Sequence, residues 1–354
     1  MILIFGGTTE GRIAIQTLEE AGKTFYYSTK GDEQDVLLHN GIRLQGAMDA
    51  IEIETFCAQH HIKLLIDAAH PFATQLHETL EQVSVESNIP VIRFERIFPK
   101  RDEEHITWCR DYDDAIEKIQ KEKIFILLAL TVQTIGKLKP LWQNACCYFR
   151  ILDRDSSRKL AREQGFSEKN LYYYTPGEDE QVLMKQLHPE AILLKESGIS
   201  GGFCEKVEAA RQLGIRIFAI CRPKTSDKFI CVNGEHGLRR IIEKHLPDFF
   251  PLRSGLTTGT CAAAAAVAAT WDVFNIYFKK RPTEFPVVLP NGETIQVPVE
   301  PQHHIPHSDL LENGDGMFET SATVIKDAGD DPDITNGMKV VANIAIPFRI
   351  DDPL

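Results

Sequence analysis

The chain has 354 residues, enough for two or three domains of ordinary size, and its 43% hydrophobic and 25% charged residues are ordinary for a globular protein. A net charge of −12 argues against nucleic acid as a partner and requires any anionic ligand to be met by a local basic patch. No apolar run approaches the roughly 20 residues that span a membrane, no basic and apolar leader is evident, and eight cysteines without a C-x-x-C pair read as free thiols in a reducing cytoplasm.

Met1 to Phe5 is a short apolar run that reads as a buried strand. Gly6-Gly7-Thr8-Thr9-Glu10-Gly11-Arg12 then leads into Ile13, Ala14 and Leu18, spaced as one face of a helix. Strand, glycine turn and helix suggest a dinucleotide fold. Gly6 and Gly11 fit the outer positions of G-x-G-x-x-G, whereas Thr8 stands where the middle glycine belongs. Gly7, Thr8 and Thr9 would supply backbone and hydroxyl donors to a pyrophosphate. A second strand, Thr24 to Ser28, ends at Thr29-Lys30-Gly31 without the carboxylate that an NAD-specific site usually places there. Lys30 reads either as a partner for the 2′-phosphate of NADPH or as an ordinary surface lysine. The strand Lys63 to Ile66 delivers Asp67-Ala68-Ala69-His70-Pro71-Phe72-Ala73 at its C-terminal end, the edge where open α/β sheets bind ligands. The following proline holds His70 extended, so that His70 is an acid–base or anchoring residue, or else a structural histidine. Val91 to Arg96 is a further strand, whose Arg93 and Arg96 suit carboxylate recognition. An ion pair with Glu95 is the plain alternative.

Near Glu122 the pattern starts afresh. Ile124 to Leu130, Cys147 to Ile151, Leu171 to Tyr174, Ala191 to Leu194 and Ile215 to Ile220 read as strands separated by helical segments, with Cys146 and Cys147 on opposite faces. After the fourth of them comes Lys195-Glu196-Ser197-Gly198-Ile199-Ser200-Gly201-Gly202-Phe203-Cys204-Glu205-Lys206, a strand-to-helix loop ahead of a helix over Val207 to Leu213. Three glycines and two serines let its backbone approach a ligand and aim free N–H groups at an anion. Lys195 and Lys206 bracket it with positive charge. A glycine-rich βα loop also serves simply to turn. The expected fold is α/β: two Rossmann-like lobes, residues 1–123 and 124–248, with parallel sheets and a ligand crevice between them, then a C-terminal α+β segment at 252–354.

The blocks Gly6 to Arg12, Asp67 to Ala73, Arg93-Phe94-Glu95-Arg96, Arg150-Ile151-Leu152, Lys195-Glu196-Ser197-Gly198 with Gly201-Gly202, and Arg222-Pro223 fall in the order found in the precorrin-6A reductase family of cobalamin biosynthesis, which residues 1–248 resemble. The resemblance implies reduction of one double bond of a tetrapyrrole-derived macrocycle by NADH or NADPH, with hydride delivered to C19 and a proton to C18. It favours NADH, against the Lys30 reading, and leaves the cofactor as NAD(P)H; the candidates to hold it are Gly6, Gly7, Thr8, Thr9, Gly11, Lys30, Ser197, Gly198, Gly201 and Gly202. Arg93, Arg96, Arg150, Lys206 and Arg222 are the candidates for the substrate's carboxylates, and His70, Ser197 and Lys195 for the catalytic groups. The family commonly has a Gly-Arg element after the first strand of the second lobe; Leu130-Thr131-Val132-Gln133-Thr134 stands there instead, so no cofactor contact is carried over to it.

After Pro251 the composition shifts. Gly255-Leu256-Thr257-Thr258-Gly259-Thr260-Cys261 precedes a run of alanines and reads as a capped helix with an anion site at its N-terminus, or as a helix tightly packed in a core. Val287 to Val297 is a hairpin turning at Asn291-Gly292. The carboxylates of Asp327-Ala328-Gly329-Asp330-Asp331-Pro332-Asp333 lack EF-hand spacing and read as a solvated turn rather than a metal site; no metal is expected. Gly255 to Ala264 and Lys326 to Thr335 resemble the N-terminal part of the cobalt-precorrin-5B C1-methyltransferase family. Members of that family are far longer, so S-adenosylmethionine is expected only for a complete domain. The pairing points to the cobalt-early route and to cobalt-precorrin-6A as substrate. Two other readings stand beside this one: a dinucleotide-sensing protein without turnover, and a transferase fragment. Oligomeric state is not encoded legibly.

Overall fold

The computed structural model describes residues 1–31, 36–130, 135–153, 155–175, 177–275, 280–301 and 317–347. In chain order these form β1 (Ile2–Phe5), α1 (Thr9–Glu19), β2 (Phe25–Thr29), β3 (Gly41–Gln45), α2 (Ala50–Gln59), β4 (Leu64–Asp67), α3 (Thr74–Ser87), β5 (Val91–Glu95), β6 (Ile106–Cys109), α4 (Tyr112–Lys121) and β7 (Ile126–Ala129). There follow α5 (Lys139–Trp142), β8 (Cys146–Leu152), α6 (Asp155–Glu163), β9 (Leu171–Tyr174), α7 (Glu180–Leu187), β10 (Ala191–Lys195), α8 (Phe203–Gln212), β11 (Arg216–Ile220), β12 (Ile230–Asn233) and α9 (Gly234–His245). The C-terminal part adds α10 (Thr258–Phe274), β13 (Glu284–Val288), β14 (Thr294–Pro298), β15 (Met317–Ile325) and β16 (Lys339–Pro347). None of the described helices is long and apolar enough to cross a membrane.

The chain divides into two compact units, Met1–Ala69 with Gln75–Glu95 and Ser226–Leu354, and His70–Thr74 with Arg96–Thr225. The first contains a six-stranded parallel sheet in the order β12-β5-β4-β1-β2-β3. Its central strands β1 and β4 are buried along their whole length because helices cover both faces of the sheet, while the edge strands β3 and β12 are half-exposed. Ile2 and Ile4 join one core layer and Leu3 and Phe5 the other. The second unit repeats the arrangement as β6-β11-β10-β7-β8-β9, again all parallel. There Leu127 and Ala129 face one layer and Leu128 the other. Cys147 is buried and its neighbour Cys146 exposed, as the alternation requires.

The first sheet takes an outer strand from beyond its own run of chain: β12, which follows the whole second sheet in sequence, pairs with β5, while the second sheet is made of β6 to β11 in succession, with β6 pairing β11 at its edge. Lobe boundaries at residues 123 and 248 therefore do not match the sheets. β6 also makes the glycine-rich loop follow the fifth strand of its sheet in chain order, not the fourth.

The C-terminal elements belong to the first unit. On α10, Ala264, Ala265, Ala268 and Ala269 are buried against Phe285, Val287, Ile295 and Val297 of the β13–β14 hairpin and against Ala322 and Val324 of β15. Methyl side chains let these strands lie close to the helix. Thr257 caps it by accepting from the Thr260 N–H at 3.1 Å. Asp327 is paired with Arg253 and Asp333 with the buried Lys326, so this acidic turn is held by protein cations. The Glu235, His236 and Glu293 side chains form one cluster of metal-ligating type among the described residues.

Candidate functional site

In both sheets the strand order reverses at the centre, between β1 and β4 and between β7 and β10, and the loops after these strands are where ligands bind in such folds. The residues singled out from sequence divide between the two units: Gly6 to Gly11, Lys30 and Arg93 lie in the first, the others in the second.

In the first unit the glycine turn is built against Tyr27 of β2. A Cβ on Gly6 would sit 2.4 Å from the Tyr27 ring, and the Tyr27 hydroxyl accepts the Gly7 N–H at 2.8 Å. Gly7 has φ +95° and open space where a Cβ would be. A Cβ on Gly11 would sit 3.1 Å from the Gly6 Cα, the close helix–strand approach for which that glycine is needed. Thr8 caps α1 by accepting from the Gly11 N–H at 3.0 Å, and its hydroxyl donates to the Ala68 carbonyl at 2.6 Å, tying together the loops after β1 and β4. Thr9 is the first residue of α1, and Lys30 is exposed.

Arg43 of β3, opposite Tyr27 in register, was invisible as a site residue in the sequence. Its Nε and Nη2 are buried without a hydrogen-bond partner among the described residues. Burial pushes the Tyr27 hydroxyl pKa up, against the opposing charges of Arg43 and Arg12. Unpaired buried guanidinium nitrogens cost about 1–3 kcal/mol each. An anionic group at this glycine turn would satisfy them, so the residues present fit the phosphates of a dinucleotide.

Arg93 corrects the sequence reading. It is 2% exposed, donating to Glu95 at 2.7 Å, to Asp67 Oδ1 at 2.8 Å and to the Ala69 carbonyl at 3.0 Å. It is a buried strut with no face left for a substrate carboxylate. The fully buried Asp67 also accepts from His77 Nδ1 at 2.6 Å. Burial alone would raise the Asp67 pKa; the His77 hydrogen bond and the charge of Arg93 outweigh it and hold this carboxyl below its ordinary range. This Asp67–His77 pair is a second cluster that sequence reasoning missed.

In the second unit, Lys195 ends β10 with its Nζ 4.9 Å from the Phe72 ring centroid and 6.0 Å from that of Tyr112. Burial, and secondarily the charge of Lys137, push its pKa down to about 8. His70 accepts the Phe72 N–H on Nδ1 at 3.2 Å, which leaves Nε2 as the N–H of the neutral ring. Arg222 lies 3.7 Å from the Phe98 ring centroid and is 34% exposed. Buried Glu196 gathers two arginines, Arg222 at 2.7 Å and Arg101 at 2.8 Å.

The glycine-rich loop differs from its expected form. The N–H groups of Ile199, Gly201, Gly202 and Phe203 do not point outward but bond to the carbonyls of Ile97, Gly198, Ile199 and Gly198. Lys206 Nζ donates to the carbonyls of Gly201 and Gly202 at 3.0 and 2.9 Å, and Ser197 Oγ to that of Gly201. Arg96 donates to the Ser197 carbonyl at 2.7 Å. Gly198, at φ 75° and ψ 177°, has its Cβ position 2.9 Å from the Arg96 Cβ. The loop thus spends its donors on its own packing. Burial lowers the Lys206 pKa, partly offset by Glu180. Glu180 also pairs with Arg150 at 2.6 Å, and Arg150 stacks 4.2 Å from the Tyr174 ring centroid. Of the cations expected to meet substrate carboxylates, Arg222 keeps an accessible charge, whereas Arg93, Arg96 and Arg150 are buried. The departure at residues 131–134 lies outside the described residues.

Two parallel sheets with ligand-side loops at their switch points define a Rossmann-like α/β protein. Residues 1–237 match the family described as Precorrin-6x reductase CbiJ/CobK, and residues 243–350 the family described as CbiD. The chain belongs to the precorrin-6x reductase family, an oxidoreductase family, and carries a CbiD-like segment behind it. It is 28% identical over 233 residues to a cobalt-precorrin-6A reductase of Priestia megaterium (63% of this chain, 91% of the relative). It is 26% identical over 260 residues to one of Synechocystis (70% and 97%). A cobalt-precorrin-5B C(1)-methyltransferase of Moorella thermoacetica is 40% identical over 89 residues, 25% of this chain but 20% of the relative, so the chain spans about a fifth of that enzyme. The solved structure of CobK precorrin-6A reductase matches with TM-score 0.57 at 19% identity, covering 69% of this chain and 97% of that one, a likeness of fold.

Proposed function

We propose that the chain reduces cobalt-precorrin-6A to cobalt-precorrin-6B with NADH or NADPH, in the cobalt-early route of cobalamin biosynthesis. Family membership supports the reaction class, and the CbiD-like segment supports the cobalt-containing substrate. The observation that carries the cofactor assignment is Arg43, whose unpaired buried nitrogens lie beside the Gly6–Gly11 turn. When bound, a nicotinamide cofactor supplies the hydride. Gly7, the Thr8-capped helix and Arg43 would hold its phosphates. Catalysis then rests on positioning and on one proton for the neighbouring carbon. Lys195, with a pKa of about 8, is mostly protonated at neutral pH yet releases its proton readily, and His70 presents an N–H at Nε2. Lys195 and Arg222 would receive carboxylates of the macrocycle. Ser197 acts on the loop backbone rather than on substrate. No methyl transfer is proposed for a segment spanning a fifth of the methyltransferases it resembles.

The test is anaerobic oxidation of NADH and of NADPH by the purified chain, with and without cobalt-precorrin-6A generated in the same vessel. Macrocycle-dependent oxidation is the expected result, and the ratio of the two rates assigns the nucleotide. A folded sample that oxidises neither overturns the proposal.

A further inference from the structure

A cavity of about 460 Å³ lies within the first unit, where the reductase-family residues meet the CbiD-like segment. Its floor is one face of α9, Gly237, Arg240, Ile241 and Lys244, at the spacing that aligns residues on a helix. Its walls come from β12 and β14, and from Arg253, Ser254 and Asp327. The volume falls in the range of small-molecule sites, about 300–1,000 Å³.

The charges lining it are nearly all spent. Glu95 is bonded by Arg93, Glu243 by Arg239 and Ser254, Glu284 by Lys244, and Asp327 by Arg253. Arg240 is the exception: among the described residues it has no hydrogen-bond or ion-pair partner, although the residue is half-buried and burial pulls its pKa down. The nearby carboxylates of Glu243, Asp327 and Glu284 keep it charged through space without touching it. Val232, Ile241 and Ile295 supply apolar surface beside it.

We propose that this cavity is a binding site for a small organic monocarboxylate, with the carboxylate on the Arg240 guanidinium and an apolar body against Val232, Ile241 and Ile295. A planar carboxylate matches the guanidinium fork. A phosphate dianion or a polycarboxylate fits less well, because four lining carboxylates would repel the surplus charge. The site is independent of the reductase assignment, since it shares no residue with the glycine turn or with Lys195.

The probe is phenylacetate, with uncharged phenylacetamide as its control, and the readout is labelling of Cys231 by N-ethylmaleimide, followed by mass spectrometry on the unmodified chain. Cys231 lines the cavity; Cys146, exposed in the other unit, is an internal reference. Phenylacetate is expected to slow labelling of Cys231 several-fold without changing Cys146, and phenylacetamide to do neither. In Arg240→Gln the protection is lost, while nucleotide oxidation with the macrocycle is unchanged. Equal protection by the amide, no protection by the acid, or protection undiminished in Arg240→Gln overturns the proposal. Should Arg240→Gln fail to fold, the acid–amide comparison on the unmodified chain decides alone.

Discussion

Lys195 pays for its position in stability. Its folded pKa of about 8 lies below the ordinary 10.5, so between these values the unfolded chain binds more protons than the folded one. Its contribution to stability therefore improves as pH climbs through that window and is least favourable below pH 8. Lys195→Met is expected to raise the unfolding free energy at pH 7 by up to about 3 kcal/mol, read by denaturant titration, with the gain shrinking towards pH 10. The same variant is expected to lose turnover of the macrocycle; turnover unchanged would remove Lys195 from the proton transfer. Arg43 poses the same conflict in another form. Arg43→Leu deletes two unpaired buried donors, so the protein is expected to be at least as stable as wild type. Its KM for the nicotinamide nucleotide is expected to rise tenfold or more with kcat nearly kept, measured by steady-state kinetics. A cost in stability alone would assign Arg43 to the sheet.

At the scale of elements, the loop after β10 is a folded object more than a cradle. Gly198 occupies backbone space that essentially only glycine enters, with Arg96 and Ile97 against its missing side chain. Gly198→Ala is expected to cost about 3 kcal/mol and to appear as a lowered denaturant midpoint, with the surviving folded fraction binding nucleotide as before. This distinction was beyond the sequence. Three glycines announced an unusual backbone, but where Ile199 sends its N–H depends on the carbonyl of Ile97, about a hundred residues earlier in the chain. The buried strands β1, β4, β7 and β10 were legible because parallel strands covered on both faces are continuously apolar. β6 and β12, no shorter than β1, were not, because each carries polar or half-exposed positions, as in Thr107 and Asn233. Asp67 and His77 lie on different elements, and nothing local marks them as partners.

For the whole molecule, sheet membership predicts which pieces stand alone. Residues 96–225 hold all six strands of the second sheet in one continuous stretch, and are expected to fold as an isolated fragment with a cooperative thermal transition. Residues 124–248, the lobe drawn from sequence periodicity, lack β6 and carry β12 without its partner β5, and are expected not to. Circular dichroism of the two fragments reads the difference; a cooperative transition in the second only would refute this strand assignment. The late pairing of β12 also bears on how the chain is born. At the ribosome β5 emerges early, but the strand that covers its outer edge follows only after the entire second sheet has been made. At about 5–20 residues per second, that edge waits on the order of ten seconds, with unpaired backbone groups able to recruit a neighbouring nascent chain. The N-terminal sheet is the last to close, and a ribosomal pause between residues 96 and 230 would lengthen its exposure.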